Sequence, residues 1–154
     1  MKNIDHNKFM SKAYQEALAA FDDGEVPVGA VIVAPNGSII GRGRNSMEQL
    51  KDATAHAEIL AIGAASNTQE SWRLDDCSLY VTLEPCLMCL GAILHSRLST
   101  VVYAAPDCRL GAVDTFYYRQ EAERSHKRFP VVVSGIMVDD CSALLNAFFK
   151  RIRN

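Results

Sequence analysis

The chain has 154 residues, 49% hydrophobic and 22% charged, with a formal net charge of −2. That is an ordinary globular composition, with length for one good core and too little for two, so a single domain over residues 1–154 is expected. No apolar run approaches a membrane span and the first residues carry no signal-peptide core, which points to the cytoplasm; the charge excludes bulk attraction to nucleic acid, leaving only local basic patches at Lys127-Arg128 and Lys150-Arg151-Ile152-Arg153.

Phe9, Ala13, Ala17 and Phe21 recur at helical spacing, with Tyr14 and Leu18 beside them, which predicts an amphipathic first helix stopped by Asp22-Asp23-Gly24. Val28 to Val33 reads as a strand, Asn36-Gly37 as a hairpin turn, and Ser38 to Gly41 as the returning strand. Asn45 to Asp52 reads as a polar loop. Thr54 or a neighbour is expected to cap a second helix carrying His56, Glu58, Leu60, Ile62 and Ala65. Leu79 to Leu83 is a third strand, and Pro85 suits the first turn of a third helix that runs through Cys89 and Ile93 to about Ser96. Val101 to Ala104 and Val131 to Val133 are the fourth and fifth strands, and Asp139 opens a last helix containing Leu144, Leu145, Phe148 and Phe149. Between Pro106 and Pro130 no periodicity is clear, as in a long functional loop. The order gives an α/β layered domain, a mixed sheet of five strands covered by helices. The hairpin strands should be antiparallel and the strands joined through helices parallel.

Two short strings carry the chemistry: His56-Ala57-Glu58 and Pro85-Cys86-Leu87-Met88-Cys89. Together they offer an imidazole and two thiols, three ligands for one zinc ion, and leave one carboxylate over. Three protein ligands with an open fourth position mark a catalytic zinc, and a spare Glu beside it is a ready general base. Cys86 and Cys89, at i and i+3, share one face of a helix. His56 and Glu58, at i and i+2, would diverge by about 200° in mid-helix. They can share a site only at a helix start, so two helix N-termini are expected to converge on the metal, their positive ends favouring thiolate. Taken singly, Cys86-x-x-Cys89 also fits a redox pair or half of a structural zinc site, but no second C-x-x-C supplies a fourth ligand; Cys77, Cys108 and His95 are the nearest spares. The odd total of five cysteines argues against a disulfide framework, and Cys77, Cys108 and Cys141 read as small buried or half-buried residues. Glu84 reads as structural and Asp75-Asp76 as a solvated turn.

This H-x-E…P-C-x-x-C arrangement is that of zinc-dependent nucleobase deaminases. With the strings Glu25-Val-Pro-Val-Gly-Ala-Val31, Thr54-Ala-His-Ala-Glu58, Leu79-Tyr-Val-Thr-Leu-Glu-Pro-Cys86 and Leu90-Gly-Ala-Ile-Leu-His-Ser-Arg97, the chain resembles bacterial tRNA adenosine deaminases of the cytidine deaminase superfamily. The resemblance runs from the first helix to the last and is weakest between Pro106 and Pro130. It implies a three-layer α/β/α cytidine deaminase-like fold with helices on both faces of the sheet, and hydrolytic deamination of a wobble adenosine to inosine in a tRNA anticodon stem-loop, releasing ammonia. It also implies a homodimer and one Zn2+ per subunit with a bound water/hydroxide. His56, Cys86 and Cys89 would bind the metal, and Glu58 would shuttle protons from water to a ring nitrogen and then to the departing amine. Asn45 would hydrogen-bond the purine, Val26 and Val28 would wall its pocket, and the backbone amides of Ala57 and Cys86 would face the reacting position. Asp107 would lie beside the ribose, and Phe148, Phe149, Lys150 and Arg151 beside the anticodon bases.

Plainer readings stand beside these. Val26, Val28 and Phe148 also suit a core, Asn45 a turn, Asp107 a loop cap, and Lys150 and Arg151 a solvated helix end. The chain also departs from the family pattern. Where relatives usually carry Gly-Ala-x-Gly and then Ser or Thr, it has Gly111-Ala112-Val113-Asp114-Thr115, adding bulk and negative charge near the expected RNA. Ser125-His126 replaces the usual Asn-His, and Phe116-Tyr117-Tyr118 is unusually aromatic. The competing functions are a deaminase of a free base or nucleoside of guanine or cytosine type, a zinc-stabilised RNA-binding module, and a redox protein.

Overall fold

The computed structural model describes residues 3–115 and 129–154. Ser125, His126, Lys127, Arg128 and the Phe116-Tyr117-Tyr118 run lie outside the described residues. The elements are α1 (His6–Asp22), β1 (Gly29–Val33), β2 (Ile39–Arg44), α2 (Met47–Leu50), α3 (Ala57–Gln69), β3 (Ser78–Leu83), α4 (Leu87–His95), β4 (Thr100–Ala105), β5 (Val131–Ser134) and α5 (Val138–Arg153). One five-stranded sheet has the order β2-β1-β3-β4-β5. β1 is antiparallel to both β2 and β3, while β3, β4 and β5 are mutually parallel. The expected mixed sheet therefore forms, with β1 inserted between β2 and the strand that follows β2 through a helix.

The three inner strands β1, β3 and β4 are buried on both faces, and their residues alternate between two cores with period 2. Ala30, Ile32, Leu79, Val81, Val101 and Tyr103 pack with Ala57, Ala61 and Ala65 of α3 and Leu90 and Ile93 of α4. Val31, Val33, Tyr80, Val102 and Ala104 pack with Met10 and Ala13 of α1 and Cys141 of α5. Helices thus cover both faces, giving the three layers expected. The buried stripe of α1 is Met10, Ala13, Ala17 and Ala20; Leu18, expected beside it, is exposed. Small side chains on that stripe let α1 sit directly against Gly29, where an added Cβ would strike Ala13 O and Ala17 N.

The same device sets α3 against β2. A Cβ on Gly43 would strike Ala57 O and Ala61 N, and one on Gly41 would strike Ala61 O and Ala65 N. β2 runs on to Arg44, pairing Gly29 with Arg44, three residues beyond the Gly41 expected as its end. These glycines are close-approach positions rather than breaks.

Five local expectations change. The polar loop after Asn45 contains the single turn α2, whose Glu48 and Gln49 amides donate to the Glu25 carboxylate. Thr54 does not cap α3: its N–H and hydroxyl both donate to Asp52 Oδ1, and His56 takes the N-cap position with extended backbone. Pro85 sits two residues before α4, where Cys86 is the N-cap, and its carbonyl accepts from Ala112 N–H. Cys108 is exposed rather than buried, while Cys77 and Cys141 are buried as expected. Helix α5 begins one residue before Asp139, with acids in its first turn and Lys150, Arg151 and Arg153 in its last, the arrangement the helix dipole favours.

Gly43→Ala should force α3 away from β2 and lower stability by about 1–3 kcal/mol, as overpacking does in a filled core. Urea unfolding at fixed zinc concentration measures it; an unchanged midpoint would show that the helix is not held at this distance.

Candidate active site

Each of the two motifs lies at a helix start. His56 is the N-cap of α3, followed by Ala57 and Glu58 in the first turn. Cys86 is the N-cap of α4 and Cys89 sits in that helix's first turn, buried. Both helices enter from the same end of the sheet, because β2 and β3 run in the same direction and each leads into one of them. The i, i+2 spacing of His56 and Glu58 works because the chain is extended at His56 (φ −77, ψ 153) and helical only after it.

His56 Nδ1 lies 3.7 Å from Cys86 Sγ and 3.5 Å from Cys89 Sγ, and the three ligand atoms all fall within 4.8 Å of one another. A tetrahedral zinc with ordinary Zn–N and Zn–S lengths sets nitrogen and sulfur about 3.6 Å apart. The trio therefore fits such an ion in both donor type and spacing. Within it, contacts with Cys89 and His56 bring the Cys86 thiol down to about 4 against the opposing pull of burial. Cys89 is pushed up, chiefly by its contact with Cys86 and then by burial. Contact with Cys86 raises the His56 imidazole. Glu58 is buried at 4% exposure, and that burial pushes its carboxyl above the ordinary value.

Around this centre, Asn45 is buried, and its Oδ1 accepts from the Ala57 amide at 2.9 Å. The α3 start is thus capped by a side chain twelve positions upstream, and the Ala57 N–H, expected to face the reacting position, is engaged within the fold. The Asn45 backbone N–H in turn donates to Val28 O. Val28 is buried in the core on the α3 side, and Val26 is half-buried against the same cluster. Asp107 follows β4; its Oδ1 accepts from the Arg109 and Leu110 amides, a loop cap.

The end of α5 is arranged differently from the expectation. Phe148 is buried at 5% exposure, edge-on to Phe21 and Phe149, so its ring belongs to the seam between α1 and α5 and not to a ligand surface. The Arg151 guanidinium stacks 4.2 Å from the Phe21 ring centre and donates to Phe21 O. Lys150 and Phe149 are exposed. Two buried acids gained roles that spacing does not announce. Glu25 holds α2 by its amides, and Glu84 holds the loop after β4. The available signal was an acid at the edge of an apolar string, Val26-Pro27-Val28 after Glu25 and Leu79 to Leu83 before Glu84.

Comparison with known proteins agrees with this geometry. Residues 3–105 match the model of the cytidine and deoxycytidylate deaminase zinc-binding region. The chain is 44% identical over 147 residues, 95% of each chain, to a tRNA-specific adenosine deaminase of Aquifex aeolicus. It superposes with TM-score 0.81 at 39% identity on a solved structure from a study of A-to-I editing by tRNA:A34 deaminases, covering 89% of this chain and 98% of that one. A guanine deaminase from Nitrosomonas europaea superposes with TM-score 0.79 at 26% identity, covering 92% and 83%.

Asn45→Ala should leave the Ala57 amide without its acceptor at a buried helix start and cost about 1–2 kcal/mol, the usual value of a lost N-cap. Denaturant unfolding of the zinc-loaded protein checks this; a loss of a few tenths or less would mean the contact is incidental.

Proposed function

The chain belongs to the cytidine and deoxycytidylate deaminase zinc-binding family, and from that premise we propose that it is a tRNA adenosine deaminase. In this reading it converts the wobble adenosine of a tRNA anticodon stem-loop to inosine and ammonia. The observation that carries the chemistry is the trio itself: His56, Cys86 and Cys89 form a three-ligand group, with the buried Glu58 carboxyl two residues from the imidazole ligand. The level of identity favours tRNA over a free base as substrate, since identity to tRNA-specific adenosine deaminases is 39–44% and that to guanine deaminases is 26–34%.

One zinc ion per chain would be held by His56, Cys86 and Cys89. When bound, zinc supplies the Lewis acidity that makes a water nucleophilic near neutral pH. Glu58 accepts that water's proton and delivers it to the purine ring nitrogen next to the amine-bearing carbon. It then carries the second proton to the amine, so that the water oxygen stays on the ring and ammonia leaves. Val26 and Val28 offer an apolar wall to the flat base. Asn45, its oxygen engaged by Ala57, presents its amide NH2 to the purine. Asp107 stands at the ribose, and Lys150 with Arg151 supplies positive charge to the RNA backbone.

A homodimer is part of the proposal. Helix α4 leaves Leu87, Met88 and Leu94 exposed at 61%, 38% and 39%, an apolar face on the helix that carries both cysteines, which a second copy would cover. The whole chain 1–154 acts as one deaminase domain, in the cytoplasm with its RNA substrate. No helix among the described residues is long and apolar enough to cross a membrane.

Zinc-loaded protein should form inosine and ammonia from an anticodon stem-loop with adenosine at the wobble position, and leave adenosine, guanine and cytosine untouched. An unchanged stem-loop would refute the reading, and comparable turnover of a free base would transfer it to the runner-up. Glu58→Gln should lower kcat by about 10²–10⁴-fold with zinc retained, because only the proton shuttle is lost. Loss of zinc in that variant would make Glu58 a ligand. Removing zinc with a chelator should abolish turnover, and adding it back should restore it.

A further inference from the structure

Glu84 lies between the end of β3 and the N-cap Cys86, is 6% exposed, and forms no ion pair with Lys or Arg among the described residues. Its charge is met by backbone amides instead. Oε1 accepts from Asp107 N–H at 3.1 Å; Oε2 accepts from Val113 N–H at 3.1 Å and Asp114 N–H at 3.3 Å. One carboxylate therefore ties both ends of the 107–114 loop. Between those ends, Asp107 O accepts from Gly111 N–H, Gly111 bridges Cys86, and Ala112 N–H donates to Pro85 O. A Cβ on Gly111 would lie 2.5 Å from Glu84 Oε1, so the loop closes around the carboxylate with no room for a side chain there. At the far end, Tyr103 OH donates to Asp114 Oδ1 at 2.6 Å. The extra acid of this chain is thus directed at a buried strand tyrosine, and the loop gains a second tether. The loop has little apolar anchorage of its own: Cys108, Arg109 and Leu110 are exposed, and only Ala112 and Val113 are buried.

We infer that Glu84 is a positioning residue for substrate recognition: its carboxylate fixes the 107–114 loop against the first turn of α4, so that Asp107 stands at a set place beside Cys86. The inference rests on the proposed deaminase reading and adds to it a residue that acts through the loop and touches neither metal nor substrate. A carboxylate suits this because it accepts at both oxygens. The isosteric amide would turn an NH2 group toward one of the loop amides, losing a charge-assisted bond and creating a donor–donor contact.

Glu84→Gln in the zinc-loaded protein tests this. The expected result is a KM for the anticodon stem-loop raised roughly tenfold to a hundredfold, the range for losing a hydrogen bond to a charged group, with kcat little changed and zinc content unchanged. Amides 107, 113 and 114 should also lose protection from hydrogen exchange. An unchanged KM, unchanged protection, or loss of zinc would each overturn the inference. If Glu84→Gln does not fold, Gly111→Ala displaces the same carboxylate from the loop side and must raise KM with zinc retained; wild-type kinetics there would overturn it equally. A wild-type protein inactive on the stem-loop would sink the deaminase reading instead. Exchange, which needs no RNA, would still decide whether Glu84 holds the loop.

Discussion

A helix has unpaired amides and a positive end only at its start, and this molecule is organised so that two such starts meet. His56 and Cys86 are the N-caps of α3 and α4. The sheet order makes the meeting unavoidable. With β1 reversed between β2 and β3, the two flanking strands run the same way and release both helices at one end of the sheet. The spacings within the two motifs then follow. An i, i+2 pair straddles the extended-to-helical transition at His56, and an i, i+3 pair occupies the first turn at Cys86. The His56 and Glu58 side chains would diverge if α3 began a few residues earlier.

How closely α3 approaches is set by absence of side chains. Gly41 and Gly43 leave room for the backbone of Ala57, Ala61 and Ala65, so the helix carrying His56 lies nearly on the strand. The loops around the site are fixed by polar groups buried with their partners. Glu25 takes amides of α2, Asn45 takes the amide of Ala57, and Glu84 takes amides of the loop after β4. Burying such groups is costly unless each is hydrogen-bonded, and here backbone donors left over at helix starts and loop turns satisfy them. The functional end of the sheet is therefore held by polar contacts and the rest of the domain by apolar packing.

What could be read in advance tracks how local the cause is. The period of the strands, the stop at Gly24 and the ligand pairs are patterns within a few residues, and they led to the right layers and to helix starts at the motifs. Capping was misjudged because the acceptor at α3 is Asn45, twelve positions away, while Thr54 is occupied by Asp52. α2 is hidden for the same reason: the carboxylate that accepts its first amides belongs to Glu25, more than twenty positions upstream. The resemblance places Phe148 and Arg151 beside the anticodon bases, and nothing local in α5 announces their contacts within the chain. The end of α1 supplies Phe21, which takes both of them. Asp114 looked like a charge aimed at the substrate, and its partner Tyr103 lies on a neighbouring strand.

The central claim is that His56, Cys86 and Cys89 make a three-ligand zinc centre with one position left for the reaction. Zinc K-edge X-ray absorption on the purified protein tests this most directly. The account predicts two sulfur neighbours at about 2.3 Å and two nitrogen or oxygen neighbours at about 2.0–2.1 Å, one of them from outside the protein. A third sulfur in the shell, or four protein ligands closing it, would make the site structural and contradict the account.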